Sequence, residues 1–170
     1  MPTTLATPAQ PTARHAPPPR RPARRSPLGT VAVVLIRLLT VLVGLATAAI
    51  TLGPRSLVVD GMSGTQGWLV THPQLEQLVV RLGGVEPAGN LLLFVPFAAL
   101  LALAVALRYL PVAFLLLLCS PFAVEWAQQY LPGRVPDGND IVRNAAGLLI
   151  AFFAVAAVRV LIAGFWRLVR

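Results

Sequence analysis

Four apolar runs, each about as long as a membrane-spanning helix, constrain this chain more than any other feature. They cover residues 29–52, 89–107, 111–130 and 140–163. A helix of about 20 apolar residues crosses the ~30 Å hydrocarbon core of a bilayer. Helices satisfy their backbone hydrogen bonds internally, as a lipid environment requires. We therefore predict an all-α fold, a polytopic membrane bundle of four transmembrane helices.

The charge of the chain does not indicate a nucleic-acid partner. Net charge is +8, but charged residues make up only 12% of the sequence, about half the usual fraction for soluble domains. Five of the fourteen basic residues lie in residues 1–27, and most of the others flank apolar runs. No basic groove with interleaved aromatic residues is visible, so we expect no nucleic-acid binding.

The N-terminal segment differs in composition from the rest. Residues 1–27 hold eight of the sixteen prolines and two Arg-Arg doublets. We predict a disordered, Pro- and Arg-rich cytoplasmic tail there, followed by a transmembrane domain over residues 28–170. Ala46-Thr47-Ala48 resembles a signal-peptide cleavage site, but the run before it is longer than a usual signal-peptide core. We therefore favour an uncleaved first span.

The arginines beside the spans predict the orientation of the bundle. The Arg-rich tail precedes the first span, Arg108 separates the second from the third, and Arg167 and Arg170 follow the fourth. Short loops rich in arginine remain in the cytoplasm. We predict a multi-pass protein of the cell membrane with both termini cytoplasmic.

The segment between the first two spans contains an amphipathic pattern. Thr71, Pro73 and Gln74 have the order of a helix start, with Thr71 as the cap. Apolar residues follow at helical spacing at Leu75, Leu78, Val79 and Leu82. We predict a short amphipathic helix that lies on the outer membrane surface or caps the bundle.

Polar side chains concentrate around the turn between the third and fourth spans. They are Glu125, Gln128, Arg134, Asp137, Asp140 and Asn144. Polar groups are costly inside a membrane and tend to mark functional sites there, so these residues, together with Asn90 near the start of the second span, form our candidate ligand site. Asp137 or Asn139 is expected to cap the fourth helix.

Three further residues shape the predicted packing. Pro96 should kink the second span, and Asn90 near its start should donate hydrogen bonds to a neighbouring helix. Gly147 shares a helical stripe with Asp140 and Asn144, where it would allow another helix to approach closely.

Two interpretations of the polar residues stay open. In one, Arg134 bridges the carboxylates of an ion-pair network that locks the hairpin between spans three and four. In the other, the same groups also bind a ligand. Paired carboxylates could act as general acid and base or hold a divalent cation. The sequence has no evident nucleophile–base pair, so we name no catalytic residue, metal ligand or cofactor.

The same residues carry a resemblance to a family. Asn90-x3-Phe94-x-Pro96, Glu125-x2-Gln128 and Arg134-x2-Asp137-x2-Asp140-x3-Asn144-x2-Gly147 resemble the VanZ-like family of small bacterial membrane proteins. The family often has Gly where this chain has Ala98. The resemblance implies an integral membrane protein linked to glycopeptide (teicoplanin) resistance or to the cell envelope, without established catalytic residues.

Three functions are compatible with the sequence. The first is a non-enzymatic envelope or resistance factor whose partners are membrane lipid and a lipid-linked cell-wall precursor or a glycopeptide. The second is an enzyme acting on a lipid-linked substrate. The third is a small transporter, which would require oligomerisation because four spans leave little room for a pathway.

Overall fold

The computed structural model describes residues 27–134 and 137–169, which contain helices and no strand. The elements in chain order are α1 (Pro27–Leu52), α2 (Arg55–Leu69), α3 (Pro73–Arg81), α4 (Val85–Leu93), α5 (Val95–Ala104), a 3₁₀ turn (Leu107–Tyr109), α6 (Leu110–Gln128) and α7 (Gly138–Leu168). The predicted tail, residues 1–27, lies outside the described residues except for Pro27, which begins α1.

Four stretches are long and apolar enough to cross a membrane. They are Gly29–Leu52, Val85–Ala104, Leu107–Gln128 and Gly138–Leu168. The predicted fold class, a helical membrane bundle with four spans and a short amphipathic helix, is therefore confirmed. The second span begins at Val85 rather than at residue 89, and the fourth continues to Leu168.

One end of the bundle, which we call the polar end, brings together the C-termini of α1 and α6 and the N-termini of α4 and α7. Gln128 near the end of α6 donates to the carbonyl oxygen of Thr51 near the end of α1. Near the start of α7, the backbone of Asp137 contacts Glu125 of α6. The predicted polar residues therefore lie within one region.

The second span is broken where the sequence predicts a kink. α4 ends at Leu93 and α5 begins at Val95, with Pro96 in the first turn of α5. Proline lacks the N–H that would continue the α4 ladder, and its ring opposes the carbonyl four residues earlier. Phe94 at the break is buried and joins the core.

The core lies where α5 and α7 pack against each other and against α6. Its buried members include Phe94, Ala98, Ala102, Leu117, Leu148, Ala151 and Phe152. α1 packs on α5 at Gly44. Thr40, Thr47 and Thr51 recur on the same face of α1 and are buried. A Cβ at Gly44 would lie 2.8 Å from the Phe97 ring, so this glycine sets a close approach. The Thr40 hydroxyl donates to the carbonyl oxygen of Ile36, which satisfies it within its own helix.

Two short helices connect α1 to α4. The predicted amphipathic helix is present as α3, but Thr71 is not its cap. His72 is the N-cap and makes no side-chain capping bond, while the Thr71 hydroxyl donates to the carbonyl oxygen of Trp68. Thr71 therefore closes the end of the preceding helix, α2, which the sequence analysis did not predict. His72 stacks on Trp68, with ring centroids 4.1 Å apart.

Candidate functional site

Glu125 is the central carboxylate of the polar end. It lies three residues before the end of α6 and is 6% exposed. Its Oε1 accepts a hydrogen bond of 2.5 Å from the backbone N–H of Asp137. Arg134, Asp137 and Asp140 all lie near enough to interact electrostatically with its carboxyl group. The structure thus brings the three acids and Arg134 of the predicted site into one neighbourhood.

Asp137 and Asp140 are engaged at the start of α7. Asp137 is the N-cap, and its Oδ1 accepts from the backbone N–H of Asn139 at 2.9 Å, as the sequence predicts. The Asn139 side chain donates to the same oxygen. Asp140 forms an ion pair with Arg143 at 3.3 Å. Both carboxylates also lie at a helix N-terminus, where negative charge is favourable.

Gln128 and Arg134 cap the C-terminus of α1. Gln128 Nε2 donates to the carbonyl oxygen of Thr51 at 2.8 Å. Arg134 Nη2 donates to the carbonyl oxygens of Gly53 and Ile50, at 3.1 and 3.3 Å. The last carbonyls of a helix have no partner within it and carry partial negative charge. The last turn of α1 contains no basic residue. The donors come instead from side chains that lie 77 to 84 residues later in the chain.

This geometry corrects the expected role of Arg134. Its position in the sequence predicts a guanidinium between carboxylates, but Arg134 forms no ion pair with the acids of the described residues. Carbonyl oxygens at the end of α1 take its donors instead. Asp140 forms its ion pair with Arg143, one turn later on the same helix, because residues three apart on a helix are neighbours.

Arg55 adds a second link to the turn between α6 and α7. Its Nη1 donates to the carbonyl oxygen of Gly133 at 2.8 Å. Gly133 has a φ of +74°, a left-handed conformation that glycine adopts readily, and it closes the turn after Pro132. Arg55 begins α2, so this bond fastens α2 to the turn that also carries Arg134.

Two buried polar atoms of the cluster have no hydrogen-bond partner among the described residues. They are Oδ1 of Asn144 and Nε of Arg134. Asn144 is 5% exposed and lies one turn after Asp140 on α7. Unpaired buried polar atoms are uncommon, because leaving one without a partner costs about 1–3 kcal/mol. Oδ1 of Asn144 can therefore still accept a hydrogen bond, and Nε of Arg134 can still donate one.

Gly147 provides the close helix approach that the sequence predicts. A Cβ built on Gly147 would lie 1.7 Å from the carbonyl oxygen of Leu91 and 2.9 Å from its carbonyl carbon. Backbone atoms cannot move away as a side-chain tip can. Only glycine therefore fits where α7 crosses α4, and this crossing fixes the position of Asn144 one turn away.

Asn90 does not act as predicted. Its side chain is half-buried and makes no hydrogen bond to another helix within the described part of the chain. It lines a half-open apolar cavity of about 720 Å³ that is bordered by the end of α1 and by α2, α3 and α4. The sequence pattern does not indicate this cavity, because one of its walls is α2, whose helical pattern is weak.

At the opposite end of the bundle, Arg159 of α7 has the same kind of role as Arg134. Its Nη1 donates to the carbonyl oxygens of Ala102 and Val105, the latter at 2.8 Å. These residues end α5, whose last turn also lacks a basic residue. The contacts of Arg134 and Arg159 share one sequence signal: the helix whose end each arginine contacts is apolar and has no basic residue in its last turn.

Within residues 27–134 and 137–169, no group of three His, Cys, Asp or Glu side chains is arranged to hold a metal ion. Cys119 is exposed on α6 and has no disulfide partner. The paired contacts of Glu125, Asp137 and Asp140 are capping and ion-pair contacts.

Comparison with known families gives a match over most of the chain. A family model described as VanZ/LLP1 matches residues 41–161, which is more than half of the chain. The chain belongs to the VanZ/LLP1 family. No curated protein and no solved structure shows a significant match. The resemblance that the polar motifs indicated is confirmed, and the matched region extends back into α1.

The VanZ/LLP1 match includes every residue of the candidate site. Most of those residues hold the hairpin between α6 and α7. Gln128, Arg134 and Asp137 cap helix ends. Glu125 accepts from the Asp137 backbone, and Asp140 pairs with Arg143. Oδ1 of Asn144 and Nε of Arg134 are the buried atoms of the site that have no partner among the described residues.

Proposed function

We propose that this VanZ/LLP1 protein is a non-enzymatic cell-envelope factor that binds a polar ligand at the outer face of the cell membrane. We further propose that this binding contributes to resistance against glycopeptides such as teicoplanin. The expected ligands are a lipid-linked cell-wall precursor or the glycopeptide itself.

The observation that carries the proposal is the unpaired Oδ1 of Asn144. It is a buried acceptor in a membrane-spanning helix, beside a carboxylate cluster. A polar atom retained at such a place without a partner is a functional-site hypothesis. An acceptor takes a hydroxyl or amide N–H donor, groups that cell-wall sugars and peptides carry in number. Nε of Arg134 offers a complementary donor for a ligand oxygen.

The engagement of the acidic groups supports a binding protein over an enzyme. Glu125 accepts from the Asp137 backbone, and Asp140 pairs with Arg143. A general acid or base must exchange its proton with a substrate within hydrogen-bond reach. Carboxylates already held by capping and ion-pair contacts support a role in positioning the hairpin rather than in proton transfer.

The arginine distribution supports the proposed outer location. Arg108 and Arg167 lie at the end opposite to the polar residues, and short arginine-rich flanks remain cytoplasmic. A ligand at the polar end therefore meets the protein from outside the cell, where both proposed ligands are found.

The proposal is tested by the teicoplanin susceptibility of a strain that lacks the gene and is complemented with single variants. Asn144→Leu removes the unpaired acceptor and keeps a side chain of similar size. We expect the wild type to restore resistance and Asn144→Leu to leave it at the level of the deletion strain. Gln129→Leu, which removes an exposed amide at the same end of the bundle, is the matched control and should restore resistance. Full resistance with Asn144→Leu would refute the proposal.

A further inference from the structure

The cavity beside the polar end is lined almost entirely by apolar groups. Among the described side chains that line it, hydrogen-bonding groups are carried by Thr65, Asn90 and the Trp68 indole. Its volume, about 720 Å³, is that of a small-molecule pocket rather than a packing defect. The surrounding helices leave this space open although each presents apolar side chains to it.

The amphipathic helix α3 forms one side of the cavity. All four residues of its predicted apolar stripe, Leu75, Leu78, Val79 and Leu82, line the space. None of them is fully buried, and Leu78 is 53% exposed. The opposite face of α3 carries Gln74, Gln77 and Arg81. A helix with such faces lies in the membrane interface, with its apolar side roughly 5–10 Å below the head groups.

We propose that this cavity binds an acyl chain of a phospholipid from the leaflet at the polar end. The apolar side of α3 places the cavity at the depth where acyl chains of that leaflet begin, so a chain enters from the bilayer without crossing water. An acyl chain of roughly 16–18 carbons matches a pocket of drug-sized volume. A long polyprenyl chain has several times as many carbons and exceeds it.

The cavity is distinct from the polar site but shares a wall with it. Ile50 and Gly53 line the cavity, and their carbonyl oxygens accept the hydrogen bonds of Arg134. A bound chain therefore packs against the same turn that Arg134 holds in place. The acyl-chain proposal rests on the cavity alone and does not depend on the proposed resistance function.

Photo-crosslinking tests whether a phospholipid acyl chain occupies the cavity. The full-length protein is reconstituted in phosphatidylglycerol and phosphatidylcholine vesicles that contain a phospholipid with a diazirine in its acyl chain. Labelled positions are then mapped by mass spectrometry. We expect labelling at Leu57, Met62 and Leu78, which line the cavity, to exceed labelling at the exposed Phe122 and Ile150 at least threefold. Equal labelling of the two groups would show ordinary contact with bulk lipid and would overturn the proposal.

Two glycines of α2 give matched variants. A Cβ added at Gly61 or at Gly64 would meet no atom within 4 Å, but only Gly61 lines the cavity. Gly61→Phe fills the space and should reduce labelling of Leu78 to the level of the exposed Phe122 and Ile150, whereas Gly64→Phe should leave it unchanged. Unchanged labelling with folded Gly61→Phe would contradict the proposal. The wild-type labelling ratio remains decisive if that variant does not fold.

A competition arm separates acyl chains from isoprenoid chains. Undecaprenyl phosphate added to the same vesicles at a low mole fraction should leave labelling of the cavity residues unchanged. If it abolishes that labelling, the cavity belongs to an isoprenoid chain and the acyl-chain assignment is wrong.

Discussion

Nη2 of Arg134 lies 3.1 Å from the carbonyl oxygen of Gly53, a residue 81 positions earlier in the chain. This bond places a guanidinium at the C-terminus of the first span, where helix carbonyls lack partners. It also explains why a basic residue follows the turn after α6, since α1 has no cation in its own last turn. The hairpin between α6 and α7 is thereby fastened to α1.

Arg134→Ala should destabilise the protein by about 2 kcal/mol, because hydrogen bonds from charged donors are stronger than neutral ones. Thermal melting in detergent measures this change. Arg81→Ala is the control, since Arg81 is exposed at the same end and makes no hydrogen bond or ion pair with the described residues. A melting temperature of Arg134→Ala equal to that of Arg81→Ala would show that the capping contact contributes nothing.

The same contact predicts how the stability losses of Arg134→Ala and Asp140→Ala combine in the double mutant. The two residues have different partners, the end of α1 and Arg143 respectively, so their losses should add to within about 0.5 kcal/mol in the double mutant. If the double mutant loses clearly less stability than the sum of the two single mutants, the result would support the direct Arg134–Asp140 ion pair that the sequence predicts.

Gly147→Ala should be among the most damaging single substitutions in α7. Its Cβ would overlap the carbonyl oxygen of Leu91, and relief requires the two backbones to separate, at a cost of about 3 kcal/mol or more. Gly164→Ala is the matched control in the same helix, where a Cβ meets no atom within 4 Å. It should be neutral or stabilise by roughly 0.5–1 kcal/mol, because Ala is the better helix former. Similar melting temperatures for the two variants would show that α4 and α7 do not cross closely at Gly147.

Arg159→Met should loosen the end of α5. The change keeps an apolar side chain but removes the donor to the carbonyl oxygens of Ala102 and Val105, with an expected loss of about 2 kcal/mol. Arg167→Met, an exposed arginine of the last turn of α7, should melt like the wild type. Faster hydrogen exchange at the end of α5 in the Arg159 variant alone would locate the effect; equal exchange in both would contradict it.

Much of the fold follows from patterns visible in the sequence. Run length gives the four spans, Pro96 gives the break between α4 and α5, and the spacing of Gly147 from Asn144 gives the close crossing. These features are local, because each depends on a helix's own period or on the chemistry of one residue. Asp137 as a helix cap belongs to the same class.

The features that the sequence did not reveal depend on contacts between distant segments or on weak local signals. α2 contains Gly61, Gly64 and Gly67, which lower helix propensity, so its helical pattern is faint. Arg134 was paired with the nearest acids in sequence, whereas its partners lie on α1. Nearness in sequence favours an ion pair of Arg134 with Asp137 or Asp140. In the structure Arg134 instead donates to carbonyl oxygens at the end of α1, which have no partner within that helix.

The predicted orientation has a direct test in cysteine accessibility. In a Cys119→Ala background, a cysteine at position 60 should react with an impermeant thiol reagent added to intact cells. A cysteine at position 20 should react only after permeabilisation, because arginine-rich flanks stay in the cytoplasm. Labelling of position 20 in intact cells would reverse the topology and place the polar end inside.

The central claim is that Asn144 serves a ligand and not the fold. The measurement that tests it most directly is the affinity of reconstituted protein for two probes, teicoplanin and a lipid-linked disaccharide-peptide precursor. We predict that the wild type and the control Gln129→Leu, which removes an exposed amide at the same end of the bundle, bind at least one of them with similar affinity. Asn144→Leu should bind that probe at least tenfold more weakly, a loss of about 1.4 kcal/mol, at an unchanged melting temperature. Equal affinity of Asn144→Leu and wild type, or no binding of either probe to the wild type, would contradict the account.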